Sequence, residues 1–160
     1  MSVLLSEEDI ERLVAERKPL PDNYRASIQV KPKRGHKERQ LMLSGKDGDE
    51  FLLLLRQSDF NQLDFSAILC YRVADSTQLF RLRRYNGKSH EHTNKLEGYT
   101  FYDFHVHYAT ERYQDSGLRE DSFAEPTNRY CDLTGAVSCM IEDCGFEKPF
   151  DPQQDLFEEL

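Results

Sequence analysis

The sequence predicts an α+β fold: an antiparallel meander of about five or six strands, with an N-terminal and a C-terminal helix packed on it. Three observations carry that expectation. Helical periodicity occurs only near the two ends, over residues 6–18 and 127–144. Between them, apolar residues alternate or run together over stretches of strand length. Short turns rich in Gly, Asp and Asn join those stretches, which favours antiparallel neighbours over parallel crossovers.

The first helix starts at Ser6, a good N-cap, with Asp9 where a capping-box acceptor would stand. Leu5 and Ile10 have the spacing of a hydrophobic staple, and Ile10, Leu13 and Val14 form a narrow apolar stripe. Arg17 and Lys18 suit the negative end of the helix dipole, and Pro19 and Pro21 stop the helix. Strands are then expected at Arg25–Lys31, Glu38–Ser44, Glu50–Arg56, Phe65–Ala74, Gln78–Tyr85 and Tyr99–Tyr108. Glu50–Arg56 is almost continuously apolar, as a central strand covered on both faces would be. Tyr99–Tyr108 alternates most clearly: Tyr102, Phe104, Val106 and Tyr108 on one face, Phe101, Asp103, His105 and His107 on a polar one. Residues 88–98 and 114–125 read as polar loops. Thr127–Cys144 reads as the second helix, with Tyr130, Leu133, Val137, Met140, Ile141 and Cys144 on one face and Gly145 at C′. Residues 148–160 read as a loose acidic tail on a single domain spanning 1–160.

Composition narrows the function classes. The chain has 160 residues, of which 38% are hydrophobic and 31% charged. The longest apolar run, Phe51–Leu55, is far short of the roughly 20 residues a membrane span needs. Cys70, Cys131, Cys139 and Cys144 show no CxxC spacing, and no secretion signal precedes them. The expectation is a cytoplasmic protein with reduced thiols and no membrane association. Charge is segregated: seven cations against one carboxylate in residues 25–46, six against two in residues 65–95, and three against twelve in residues 114–160. An acidic balance disfavours broad DNA coating but leaves room for a local phosphate-binding patch. Pro32-Lys-Arg-Gly-His-Lys37 is a basic turn of that kind, or simply a solvated hairpin tip.

The feature that rises above a plain α+β domain is a histidine cluster. His90, His92, His105 and His107 fall within 18 residues as two His-x-His pairs. On a strand, His105 and His107 point to the same side, and a hairpin between Gln78–Tyr85 and Tyr99–Tyr108 would bring His90 and His92 toward them. One chemistry for such a set is acid–base cleavage of RNA without a metal, since an imidazole pKa near 6.5 suits both proton roles. Arg81, Arg83, Arg84 and Lys88 would then clamp the phosphate, Arg81 and Arg83 from one strand face. A second chemistry is a transition-metal site, Zn²⁺ before Ni²⁺ or Mn²⁺, its third ligand drawn from His90, His92 or Asp103. The plain alternative is that histidines simply furnish the polar face of a sheet.

The stretch Cys70-Tyr-Arg-Val73, Leu79-Phe-Arg-Leu-Arg-Arg-Tyr-Asn-Gly-Lys-Ser-His-Glu-His92 and Phe104-His-Val-His-Tyr108 resembles the core of TumE-type toxins of bacterial toxin–antitoxin pairs. Those have a similar basic hairpin running into a glycine- and histidine-rich loop; here Tyr85 is followed directly by Asn86. The whole chain also resembles uncharacterised bacterial proteins with the same Ser89-His-Glu-His-Thr-Asn94 and Phe104-His-Val-His107 segments. The toxin resemblance implies action on RNA and an antitoxin partner. The leading expectation is therefore a toxin–antitoxin or mobile-element-type protein acting on RNA without a cofactor. His105 and His107 would be the acid–base pair, with His90 or His92 as an auxiliary. The rival is a non-enzymatic acidic protein, antitoxin-like or a phage-encoded inhibitor, whose residues 114–160 contact a basic protein partner.

Overall fold

The computed structural model describes residues 3–150. The tail expected from Lys148 lies, from residue 151 onward, outside the described residues. In chain order the elements are α1 (Glu7–Ala15), β1 (Lys18–Pro19), α2 (Tyr24–Ser27), β2 (Lys31–Pro32), β3 (His36–Ser44), β4 (Glu50–Ser58), β5 (Phe65–Arg72), β6 (Leu79–Asn86), β7 (His92–Asn94), β8 (Tyr99–Phe101), β9 (His105–Tyr108), α3 (Glu111–Asp115), β10 (Phe123–Pro126), α4 (Leu133–Asp143) and β11 (Phe146–Glu147). Seven strands form one antiparallel sheet in the order β10-β9-β6-β5-β4-β3-β2. The α+β class and the meander from β3 to β6 are as expected.

The register explains the apolar run in β4. Phe51, Leu53 and Leu55 point to one face of the sheet, and Leu52 and Leu54 to the other. On the first face, Leu53 pairs Leu69, while Leu55, Ala67, Tyr85 and Val106 form one row across β4, β5, β6 and β9. Ile10, Leu13 and Val14 of α1 join the same buried cluster, as do Ala136, Val137 and Met140 of α4. Both long helices therefore cover this face, and they leave the other for the site.

Six local expectations are corrected, the first being that α1 ends at Ala15 rather than Lys18, with Lys18–Pro19 extended as β1. Arg25–Lys31 is not a strand: Tyr24–Ser27 is a helical turn, with Ile28 N–H donating to Tyr24 C=O at 2.9 Å, and only Lys31–Pro32 is extended. Alternating positions also fall four apart, so Tyr24 and Ile28 read equally well as one helical face. Tyr99–Tyr108 is two strands in two different sheets, broken at Tyr102–Phe104. Residues 88–98 are not all loop, since β7 lies within them and pairs with β8. Residues 114–125 include the end of α3 and most of the edge strand β10. The C-terminal helix begins only at Leu133, capped by Asp132, whose side chain accepts from Gly135 N–H at 2.8 Å.

The two helices are joined at their C-terminal ends by a buried amine. Lys18 is fully buried. Its Nζ donates to the carbonyls of Leu13, Val14 and Glu16 at 2.9, 2.9 and 2.8 Å, and to Cys144 at 2.8 Å. These are carbonyls that the ends of α1 and α4 leave without intrahelical partners. The amine also stands 4.4 Å over the Phe51 ring. Burial lowers its pKa to about 8, so the ammonium form still prevails at pH 7. Replacing Lys18 with Met keeps the stem and leaves these carbonyls without their donor. We expect urea unfolding to show a loss of about 3 kcal/mol or more. A loss below about 1 kcal/mol would mean that water replaces the amine.

Candidate metal centre

The site is built on the sheet face away from the helices. In the pairing of β6 with β9, Arg84 lies opposite His107 and Asn86 opposite His105. Residues opposite one another share a face, so both histidines point to the side opposite Tyr85 and Val106. Tyr130 secures the strand pair from behind: its hydroxyl lies 2.7 Å from Asn86 C=O and 2.9 Å from His105 C=O. After β6 the chain turns at Gly87, whose N–H donates to Phe65 C=O at 2.9 Å. A side chain at Gly87 would collide with the Leu63 carbonyl, so this residue lets the histidine loop leave close to the β4–β5 turn.

The small β7–β8 hairpin folds back over the histidine face. His92 of β7 stacks on His105 with centroids 5.4 Å apart and meets His107 edge-on at 4.9 Å. Phe101 of β8 closes against His105 at 5.5 Å. The hairpin is moored by Asn94, whose Nδ2 donates to Ala124 C=O at 2.8 Å and whose Oδ1 accepts from Ala124 N–H at 2.9 Å. His105 and His107 are consequently buried, not part of an exposed polar face.

Each ring has one nitrogen held by an oxygen acceptor. His105 Nδ1 is 2.8 Å from Asp103 C=O, and His107 Nδ1 is 2.7 Å from Asp121 C=O. His92 Nε2 is 2.8 Å from Asn94 Oδ1. A carbonyl partner requires N–H on that nitrogen, so in the neutral form of each ring the lone pair sits on His105 Nε2, His107 Nε2 and His92 Nδ1. His105 Nε2 is buried without a hydrogen-bond partner. The three rings bring one ligand atom each to within 4.8 Å of one another. A tetrahedral Zn²⁺ with ~2.05 Å bonds would hold its nitrogens ~3.3 Å apart. The rings need to close by about 1.5 Å at the widest pair. Half-exposed His92, on its own hairpin, is the one with room to do so.

The surroundings keep His105 and His107 neutral. Burial lowers the pKa of His105 to about 4 and that of His107 to about 2; for His107 the next cause is the Arg84 cation. Arg84 pairs with the buried carboxylate of Asp121 at 3.2 Å, and the backbone of that same Asp121 orients His107.

The remaining predicted residues scatter. His90 is exposed, its ring 6.1 Å from His105, at the rim of the cluster. His36, the fifth histidine, lies on β3 and contacts Glu38 at 3.2 Å. Lys88 stands 5.5 Å over the Tyr102 ring. Arg81 and Arg83 do not share a face. Leu69 pairs Arg83 while Cys70 pairs Arg81, so Leu82 is an extra residue that reverses the alternation. Arg83 therefore turns to the helix side, 4.8 Å over the Tyr108 ring and 3.5 Å from Tyr85 Oη. Sequence reasoning missed Asn94 and Asp121. Asn94 had a signal, since His92-x-Asn94 repeats the two-residue spacing of a shared strand face; Asp121 had none.

Fold and site together define an α+β protein with a three-histidine cluster roofed by a hairpin on one sheet face. Residues 5–138 match the model of DUF6978, a family of unknown function, and the chain belongs to that family. Comparison with curated proteins found no significant match, and neither did comparison with solved structures.

The depressed imidazole pKa values fix the sign of a pH effect. A histidine that is harder to protonate when folded contributes stability present above its unfolded value near 6.5 and lost as pH falls below it. In chelator-treated protein between pH 6 and 4, the unfolding free energy of the wild type should fall more steeply than that of His107→Gln. The expected difference is about 1.4 kcal/mol per pH unit. Equal slopes in urea titrations would contradict the buried neutral imidazole.

Proposed function

We propose that this chain holds one divalent transition-metal ion, zinc by the nature of its donors, on His92 Nδ1, His105 Nε2 and His107 Nε2. The observation that carries the reading is the pattern of outer hydrogen bonds. Each of the three rings has one nitrogen held by an oxygen, as metal-bound imidazoles do. A buried, partnerless Nε2 on His105 adds to it, since such an atom is costly unless something occupies its lone pair. Imidazoles bind as neutral donors, so three of them would leave the full charge on the ion and a fourth position for water. That is the ligand count of a hydrolytic zinc site, where the ion carries a water with a pKa near 7. The proposed activity is metal-dependent hydrolysis of an anionic ester, with RNA the substrate class the sequence already favours.

A metal-free acid–base pair is the weaker reading of the same residues. It asks one of His105 and His107 to be cationic near neutral pH, and both are held neutral there. The phosphate clamp it needs is also divided between the two sheet faces.

Titration of the chelator-stripped protein with Zn²⁺ should show one ion per chain by calorimetry, and Co²⁺ should give the intense visible bands of a tetrahedral site. His92→Ala, at the half-exposed position, should weaken binding at least about 100-fold without unfolding the chain. Asn94→Ala should weaken it about 10- to 100-fold, as loss of a ligand's outer partner does. His36→Ala should bind like the wild type. A folded wild type that takes up no ion, or His92→Ala with undiminished affinity, would overturn the proposal. Cleavage of labelled single-stranded RNA that survives EDTA would return the assignment to the metal-free pair.

A further inference from the structure

A second feature, remote from the histidines, gathers around the β2–β3 hairpin. Between Lys31 and Arg39 stand five cations, Lys31, Lys33, Arg34, Lys37 and Arg39, against the single carboxylate Glu38. Lys33 lies 3.9 Å from Glu38, at the edge of ion-pair range; among the described residues the other four cations have no ion pair. Like charges held this close on a two-strand hairpin raise the local potential even though the chain as a whole is acidic.

The hairpin carries an aromatic companion. Phe60, in the β4–β5 turn, is 88% exposed. Its position is nonetheless built. Asp59 N–H donates to Gly35 C=O at 3.2 Å, tying this turn to the hairpin tip. The N–H groups of Phe60 and Asn61 both donate to Ser58 Oγ, at 3.1 and 3.2 Å. A side chain at Gly35 would touch the Phe60 ring at 3.6 Å, so the ring stands directly over the glycine at the tip of the basic turn. Gly35 has φ +81°, a conformation that keeps the turn tight and free of a side chain there. A large apolar ring fixed in water beside unpaired cations is a poor arrangement for a protein–protein core, where charge is depleted. It matches what an unstacked base and its phosphates require.

We infer that the β2–β3 hairpin and Phe60 bind single-stranded nucleic acid, Phe60 stacking on a base while Lys33, Arg34 and Lys37 hold the flanking phosphates. The opposing charges in the patch are Glu38 and Asp59. The surface rests on its own residues and does not depend on the metal. Its use as a substrate track does rest on the metal reading, and the register supports that use. Lys31, Glu38, Arg56, Ser66, Asn86 and His105 form one row on one face of the sheet. Five spacings of ~4.8 Å place the hairpin ~24 Å from the histidines, at the same end of the strands. A strand anchored on Phe60 and laid along this row reaches the metal centre.

The test is fluorescence anisotropy of a labelled 12-nucleotide RNA with the full chain, with EDTA present so that no metal chemistry intervenes. The same DNA sequence and a duplex of it complete the set. The expected result is binding that weakens as salt rises, with RNA and DNA single strands both preferred to the duplex. Lys33→Glu/Arg34→Glu should weaken binding at least about tenfold and flatten the salt dependence. Phe60→Ala should weaken it about tenfold and leave the salt dependence unchanged. These residues are exposed, so circular dichroism should show both variants folded. Zn²⁺ titration of Phe60→Ala should match the wild type, which separates a failure here from a failure of the metal reading. No binding at low salt, tighter binding to the duplex, or wild-type affinity in both variants would overturn the inference.

Discussion

The ammonium group of Lys18 is the contact on which the layering of this protein depends. One buried amine satisfies carbonyls from the last turn of α1 and from the C-cap of α4, two segments more than 120 residues apart in the chain. Helix ends leave their final carbonyls open, and a buried end with no partner is costly. Sharing one donor between two ends solves both at once and fixes where the helices meet. The short parallel pairing of β1 with β11 begins at this same residue, which sets Lys18 N–H on Gly145 C=O at 2.8 Å. With both helices drawn to one face of the sheet, the opposite face is free for β7 and β8 to cover.

That second face is where apolar packing gives way to imidazole. Along one row the residues read Gln40, Leu54, Ile68, Arg84, His107 and Ala124, so the surface changes from aliphatic to ionic within the sheet. The change falls at β6 and β9, the strands beside the extra residue Leu82. A bulge there rotates the arginines onto different faces. Arg83 is spent on the helix side and Arg84 on Asp121, and neither is left as a free phosphate ligand. What the bulge leaves on the histidine side is the neutral rings of His105 and His107, the Arg84–Asp121 ion pair and backbone carbonyls. Such a set suits a metal cation better than the developing negative charge of a phosphorane.

The fold was largely legible because its main signals are local. The apolar run of β4, the Gly-Asp-rich turn before it and the capping of α1 by Ser6 all depend on neighbours within a few residues. The misread segments are those where tertiary contacts decide. Phe101 and His105 sit four apart in a stretch that alternates as if it were one strand. The chain breaks between them because β8 finds its partner in β7 and β9 finds its partner in β6. The histidine pairs were visible, while the sequence left open whether they meet in space. Their burial was not visible, since a His-x-His pair on a strand reads as a polar face until the covering hairpin is known. Asp121 was invisible for the same reason: its carbonyl and carboxylate act through positions that no local spacing encodes.

The tautomers carry the argument one step further than proximity does. Clustered histidines that served only as a polar surface would be free to turn either nitrogen to water. Here three different acceptors, two backbone carbonyls and one amide oxygen, each hold one nitrogen of a ring. In its neutral form each ring then carries its lone pair on the other nitrogen, His105 Nε2, His107 Nε2 and His92 Nδ1, and the three residues bring ligand atoms to within 4.8 Å of one another. A buried lone pair without a donor is unfavourable by itself, and His105 Nε2 is in that position. Under the proposed metal reading, a cation at the centre would supply the partner that His105 Nε2 lacks.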